Sequence, residues 1–157
     1  MRKSIHDIPI KYTFDPDHKN AHYTLDGVHF MNGGDLAEVV TKAIYGYKPV
    51  KDASTRYDLA SDIEELNASV KSSKFTLVNT KLADTFEATI DRYFETVHST
   101  RWIYTVIIDD TATLYEMNKE EFKEFLYTFT GLNERKLIRC KATSGKMVGW
   151  FEERVGR

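Results

Sequence analysis

Two aspartates four residues apart, Asp58 and Asp62, lead into a run that carries Ser69 and Lys71, within the stretch 57–79, YDLASDIEELNASVKSSKFTLVN. Leu66, Ala68 and Val70 alternate there with Asn67, Ser69 and Lys71, the period-two pattern of a strand with unlike faces. With Glu64-Glu65 as the reversal, the stretch is predicted to be a β-hairpin that returns Asp62 toward Ser69 and Lys71. Acids and a lysine gathered at one spot suit phosphodiester hydrolysis. Mg²⁺ binds through one or two carboxylates and the substrate's own phosphate oxygens. Once bound it lowers the pKa of a water and offsets charge on the scissile phosphate. A neighbouring ammonium can position that water or stabilise the transition state. Taken one at a time, the same residues also read as a turn aspartate and a solvated strand lysine.

The elements that must hold this hairpin come from the rest of the chain. At 157 residues, 41% apolar and 29% charged, the chain suits one soluble domain with a real core. Nine Tyr, nine Phe and two Trp argue against disorder. A net charge of −2 gives no global positive field, so any DNA contact must come from a local patch. The lone Cys140 leaves no internal disulfide and no thiolate zinc site, which fits a reducing, cytoplasmic setting. No run is long enough to span a bilayer, and the opening MRKSIHDIPIKYTF lacks the apolar core of a signal peptide.

Residues 1–30 are expected to form an irregular N-terminal extension, with a short strand over 8–14, a turn at Asp15-Pro16-Asp17 and a hairpin turn at Asp26-Gly27. His18, His22 and His29 would make a metal cluster only if His18 and His22 shared a helix face, and the pattern around them is extended. After the loop Asn32-Gly33-Gly34, helical spacing of Leu36, Val39, Val40, Ala43 and Ile44 predicts a helix that Gly46 ends. Glu38 lies among these apolar positions. It reads equally as a carboxylate turned toward a site or as a helix-start acid favoured by the dipole.

Downstream, 81–98 is predicted to be a long amphipathic helix burying Leu82, Phe86, Ile90, Tyr93, Phe94 and Val97. The run 100–109 is too apolar for a half-exposed strand and should be central, with 112–117 as its antiparallel partner. Asn118 should cap a helix over 119–130 that Gly131 stops. A strand over 135–142 follows, where Cys140 reads as core rather than nucleophile, and Ser144 should cap a closing helix through Val155. The expectation is a single-domain α/β fold with a central mixed β-sheet flanked by helices.

With Glu38 in the first helix, Ser61-Asp62-Ile63 opening the hairpin and Ser69-Val70-Lys71-Ser72-Ser73 on its second strand, the chain resembles the PD-(D/E)XK, or restriction-endonuclease-like, nuclease superfamily. The helix and strand expected after the hairpin agree with that fold's continuation. The resemblance implies a nuclease-like domain over 1–157 that hydrolyses DNA with Mg²⁺ or Mn²⁺. It further implies that Asp62 is the metal aspartate (Asp58 the alternative), Lys71 the catalytic lysine serving the attacking water, and Glu38 an auxiliary metal ligand.

The family's acid two positions before the lysine is Ser69 here, and a neutral hydroxyl is a much poorer Mg²⁺ ligand than a carboxylate. Either Glu38, Glu64 or Glu65 supplies the missing charge, or the chain is a catalytically inactive module that binds nucleic acid or a protein partner. Lys48, Lys51, Arg56 and Lys74, and further on Arg139, Lys141 and Lys146, are the cations available to phosphates. A homodimer suits either version, since cutting both strands needs two sites related by a two-fold axis. Other chemistries lack their motifs. Thr143-Ser144-Gly145-Lys146 has no upstream glycine of a phosphate-binding loop, and no G-x-S-x-G elbow occurs.

Overall fold

The computed structural model describes residues 1–8, 10–15, 20–25, 28–30, 37, 40–41, 44, 48–49, 59–60, 68–71, 76–77, 85–97, 99–108, 110–135 and 137–156. Its frame is the antiparallel pair β9 (Arg101–Ile108) and β10 (Thr111–Met117), with Tyr104 opposite Tyr115. Trp102 to Thr105 are all buried. A strand covered on both faces is what its unbroken apolar run requires.

This pair lies inside a six-stranded sheet. Its order is β1 (Arg2–Asp7), β10, β9, β7 (Ala68–Lys71), β6 (Leu59–Ala60) and β5 (Lys48–Pro49). Every neighbouring pair is antiparallel except β7 and β9, which run parallel. The chain is thus a mixed α/β protein, as expected, with two small antiparallel sheets beside the main one. β2 (Ile10–Asp15), β3 (Asn20–Leu25) and β4 (Val28–Phe30) form one; β11 (Thr130–Leu132), β12 (Ile138–Cys140) and β8 (Thr76–Leu77) form the other.

Residues 1–30 are therefore not an irregular extension. They carry four strands, one of which is the end of the main sheet. Arg2–Asp7, RKSIHD, hides this because neither of its alternating faces is apolar; backbone bonds to β10 hold it instead. The short strand expected over 8–14 is present as β2. Leu25 faces Val28 across β3 and β4, as a reversal at Asp26-Gly27 requires, although those two residues lie outside the described ones.

Three complete helices among the described residues flank the sheet, besides the helical positions 37, 40, 41 and 44: α1 (Phe86–Thr96), α2 (Lys119–Phe129) and α3 (Ser144–Arg154). α1 begins later than the apolar stripe suggested. Thr85 is extended, and its hydroxyl accepts the Ala88 N–H at 3.2 Å, which is an N-cap rather than a helix interior. α2 opens on a reciprocal capping box. Asn118 Oδ1 accepts the Glu121 N–H at 2.8 Å, and Glu121 Oε1 accepts the Asn118 N–H at 3.0 Å.

α2 ends at Phe129 with Thr130 as its C-cap, one residue short of the expected 119–130, and Gly131 already lies in β11. α3 is capped by Thr143, one residue before the expected Ser144. The strand expected over 135–142 shrinks to Ile138–Cys140. Asn133 Oδ1 accepts the N–H groups of Arg135 at 2.9 Å and Leu137 at 3.0 Å, so a side-chain-stabilised turn replaces its first half.

The core is aromatic. Trp102, Tyr104, Tyr115 and Met117 on one sheet face meet Ile90 and Tyr93 of α1, Phe122, Phe125 and Leu126 of α2, and Met147 and Phe151 of α3. Trp102 stacks on Phe122 at 5.2 Å, Tyr115 on Phe151 at 4.5 Å. The Trp102 indole N–H donates to the Tyr93 hydroxyl at 2.9 Å, so the polar edge of the largest ring is satisfied indoors. Helical residues Ala37, Val40 and Thr41 are buried as well. Thr41 Oγ1 lies 3.1 Å from Thr105 Oγ1, on the side of β9 opposite the Tyr104 ring.

Candidate functional site

The ladder of the expected hairpin is present: Leu59 of β6 faces Ala68 of β7. From there β7 runs beside β9, with Ser69 in register with Trp102 and Lys71 with Tyr104. Lys71 thus ends a strand held on both sides by backbone pairing. Asp62 falls between the two hairpin strands in sequence, two residues beyond the end of β6. Asp62, Asp58, Glu38, Glu64 and Glu65 lie outside the described residues, as do Lys51, Arg56 and Lys74. Lys48 opens β5 opposite Ala60, at the far edge of the sheet.

The helical positions Ala37, Val40 and Thr41 meet the sheet where Thr41 touches Thr105. Thr105 is the neighbour of Tyr104 and points to the opposite face. Among the described residues no group of three His, Cys, Asp or Glu side chains converges as a metal ion would need. His22 and His29 sit in β3 and β4, opposite Thr13 and Thr24. A strand cannot give His22 and His18 the shared helix face that a cluster needed, and His18 lies outside the described residues.

A second feature is fully described. The β11–β12 hairpin borders an open cleft of about 670 Å³, with Asn133, Glu134, Arg135, Arg139 and Lys141 in its lining. Ile138 and Cys140 turn inward, so Arg139 and Lys141 share the exposed side of the strand. A Cβ on Gly131 would come within 2.7 Å of Lys141 Nζ. The lysine side chain therefore lies close over Gly131, and a larger residue there would make its flexible end shift. Neither Arg135, Arg139 nor Lys141 has a carboxylate partner among the described residues. Cys140 is buried, its Sγ 3.5 Å from Met147 Sδ, as expected for a core thiol.

The resolved electrostatic shifts fall elsewhere, between β1, β10 and α3. Glu152 Oε1 accepts from Lys3 Nζ at 2.5 Å and from the Tyr115 hydroxyl at 2.5 Å. The Lys3 hydrogen bond, followed by that from Tyr115, holds the Glu152 carboxyl below its usual value. Burial, reinforced by Glu152, pushes the Tyr115 phenol well above its own. Such a cluster ties the first strand to the last helix.

No family model, no curated protein and no solved structure matches the chain. No helix among the described residues is long and apolar enough to cross a membrane. Sequence reasoning named Arg139 and Lys141 among the cations available to phosphates but did not place Arg135 in that set. The joining signal is Gly131 facing Arg139 across the hairpin, and it requires the register. The Thr41–Thr105 contact had no signal at all.

Proposed function

We propose that the chain is a metal-dependent nuclease of the restriction-endonuclease-like type, hydrolysing phosphodiester bonds of DNA in the cytoplasm. The carrying observation is topological. The strand bearing Ser69-Val70-Lys71 pairs antiparallel with β6, passes through α1, and is flanked by β9 returning parallel to it. With β8 intervening before the helix, this order of elements supports the reading, since the resemblance implies a helix and a strand after the hairpin. Lys71 would serve the attacking water. Asp62, with Asp58 the alternative and Glu38 as auxiliary, would hold Mg²⁺ or Mn²⁺, which supplies an acidified water and charge neutralisation when bound.

The basic cleft supports a polyanionic substrate. Arg139 pairs with Thr76 of β8, five residues after Lys71. The Cα atoms of Lys71 and Thr76 are therefore at most about 18 Å apart, a span of a few nucleotides at about 3.4 Å of rise each.

A second reading, a nuclease-shaped module that binds nucleic acid without cutting it, is favoured by two observations. Ser69 stands where the family has an acid. The helical segment of Ala37, Val40 and Thr41 meets β9 at Thr105, whereas Lys71 is in register with Tyr104.

Incubation of supercoiled and single-stranded DNA with Mg²⁺ or Mn²⁺ decides between them. Cleavage is expected to vanish with a chelator and to fall by about 10²–10⁴-fold in Lys71→Ala, with DNA binding retained. Binding without cleavage, restored to cleavage in Ser69→Glu, would establish the second reading. A chain that neither binds nor cuts DNA would overturn both.

A further inference from the structure

Independently of any activity on DNA, we propose that two copies of this chain associate through β1, the strands pairing antiparallel about a two-fold axis at Ile5. β1 is the last strand of the main sheet. The Ile8 N–H donates to the Asp110 carbonyl at 2.7 Å, in line with the register that sets Asp7 opposite Thr111. Antiparallel ladders alternate residues that bond to the neighbour with residues that do not. Counting back from Ile8, the backbone groups of Lys3, Ile5 and Asp7 face away from β10. A row of such groups is a template for another strand.

The side chains specify which strand. Residues directly opposite in a sheet share a face, so a symmetric pairing must centre on a residue. Centred on Ile5, Lys3 of each copy stands opposite Asp7 of the other, and Ile5 faces Ile5. Ile5 is an apolar side chain left 60% exposed in the single chain. Ser4 then stands opposite His6 of the second copy.

The competing registers fail. Centring on Lys3 or Asp7 sets like charges against each other, and centring on Ser4 or His6 sets Ile5 against Lys3 or Asp7. The Ile5-centred arrangement also bonds Lys3, Ile5 and Asp7 through the outward groups identified above. The main sheet becomes continuous across both copies, and no edge remains at β1.

Sedimentation equilibrium on the full chain tests this. Wild type is expected to be a dimer and Ile5→Pro a monomer with unchanged far-UV circular dichroism, because the lost N–H points away from β10 and proline is tolerated at such edges. Should Ile5→Pro not fold, Ile5→Cys serves. Opposed residues of a bonded pair lie about 5.5 Å apart at Cα, within disulfide range, so mild oxidation should yield a covalent dimer. Ile108→Cys, at the similarly exposed Ile108 (67%), should yield none, and buried Cys140 should give no background. A wild type that stays monomeric at all concentrations would overturn the proposal and leave β1 open to a strand of another protein. So would a dimer that Ile5→Pro leaves intact and Ile5→Cys does not cross-link.

Discussion

The contact between Thr41 and Thr105 permits an asymmetric prediction. Both residues are buried, and a hydroxyl has one proton and two acceptor sites. Thr41 Oγ1 donates to the Ala37 carbonyl at 2.7 Å, so its proton is used. Thr105 must then be the donor across the 3.1 Å contact. Thr41→Val preserves shape but leaves the Thr105 hydroxyl without an acceptor, a buried unsatisfied group costing about 1–3 kcal/mol. Thr105→Val removes the donor while Thr41 keeps its bond to Ala37, costing only about 0.5–1.5 kcal/mol. The double variant, apolar on both sides, should recover most of the Thr41→Val loss. With a urea m value of about 2 kcal/mol/M, Thr41→Val lowers the unfolding midpoint by about 1 M. Urea titrations at constant m measure all three. A larger loss for Thr105→Val than for Thr41→Val would refute the assigned donor, and a double variant equal to the sum of the singles would refute the coupling. The same series reports how firmly the helical segment of Thr41 is held against the central strand.

Two further outcomes follow from the core and from the Lys3–Glu152–Tyr115 cluster. Phe151 is fully buried and its ring lies 4.5 Å from Tyr115, 5.3 Å from Tyr104 and 5.4 Å from Phe125. Phe151→Ala should cost about 3–5 kcal/mol in denaturant unfolding. Phe151→Leu should cost less, mainly the stacking terms of about 0.5–1.5 kcal/mol per ring pair, and equal losses would contradict a stacked core. For Tyr115, a raised pKa means a stabilising contribution fully present below the unfolded value of 10.0 and lost as pH climbs through the folded value. For Glu152, a lowered pKa means a contribution present above the unfolded value of 4.5 and lost as pH falls through the folded one. The difference in stability between wild type and Tyr115→Phe should therefore shrink above pH 10.0, as read by urea midpoints. A difference constant from neutral to alkaline pH would contradict the phenol's role.

What could be read beforehand depended on whether the stabilising pattern was local. RWIYTVII announces a strand covered on both faces, and Asn118 with Glu121 spells a helix start within four residues. β1 was missed because no apolar face marks it; its ladder to β10 joins distant parts of the chain through backbone groups that every sequence has. Thr85 and Thr143 displaced the expected helix starts because a cap is a choice among neighbouring hydroxyls that apolar periodicity does not see. At the candidate site, the alternation around Val70 gave the strand and its hairpin partner. The parallel register with Tyr104 could not be read, since nothing in either strand encodes it alone. The cleft cations were visible as residues, but their convergence required Gly131 to face Arg139.

The parallel join between β7 and β9 has a kinetic side. β9 and β10 are neighbours in sequence and can zip together through a short reversal, whereas β7 reaches β9 only after the whole of α1 has been laid across the sheet. Closing that longer loop is entropically dearer and comes later in assembly. The strand that carries Lys71 therefore joins the main sheet after β9 and β10 have met.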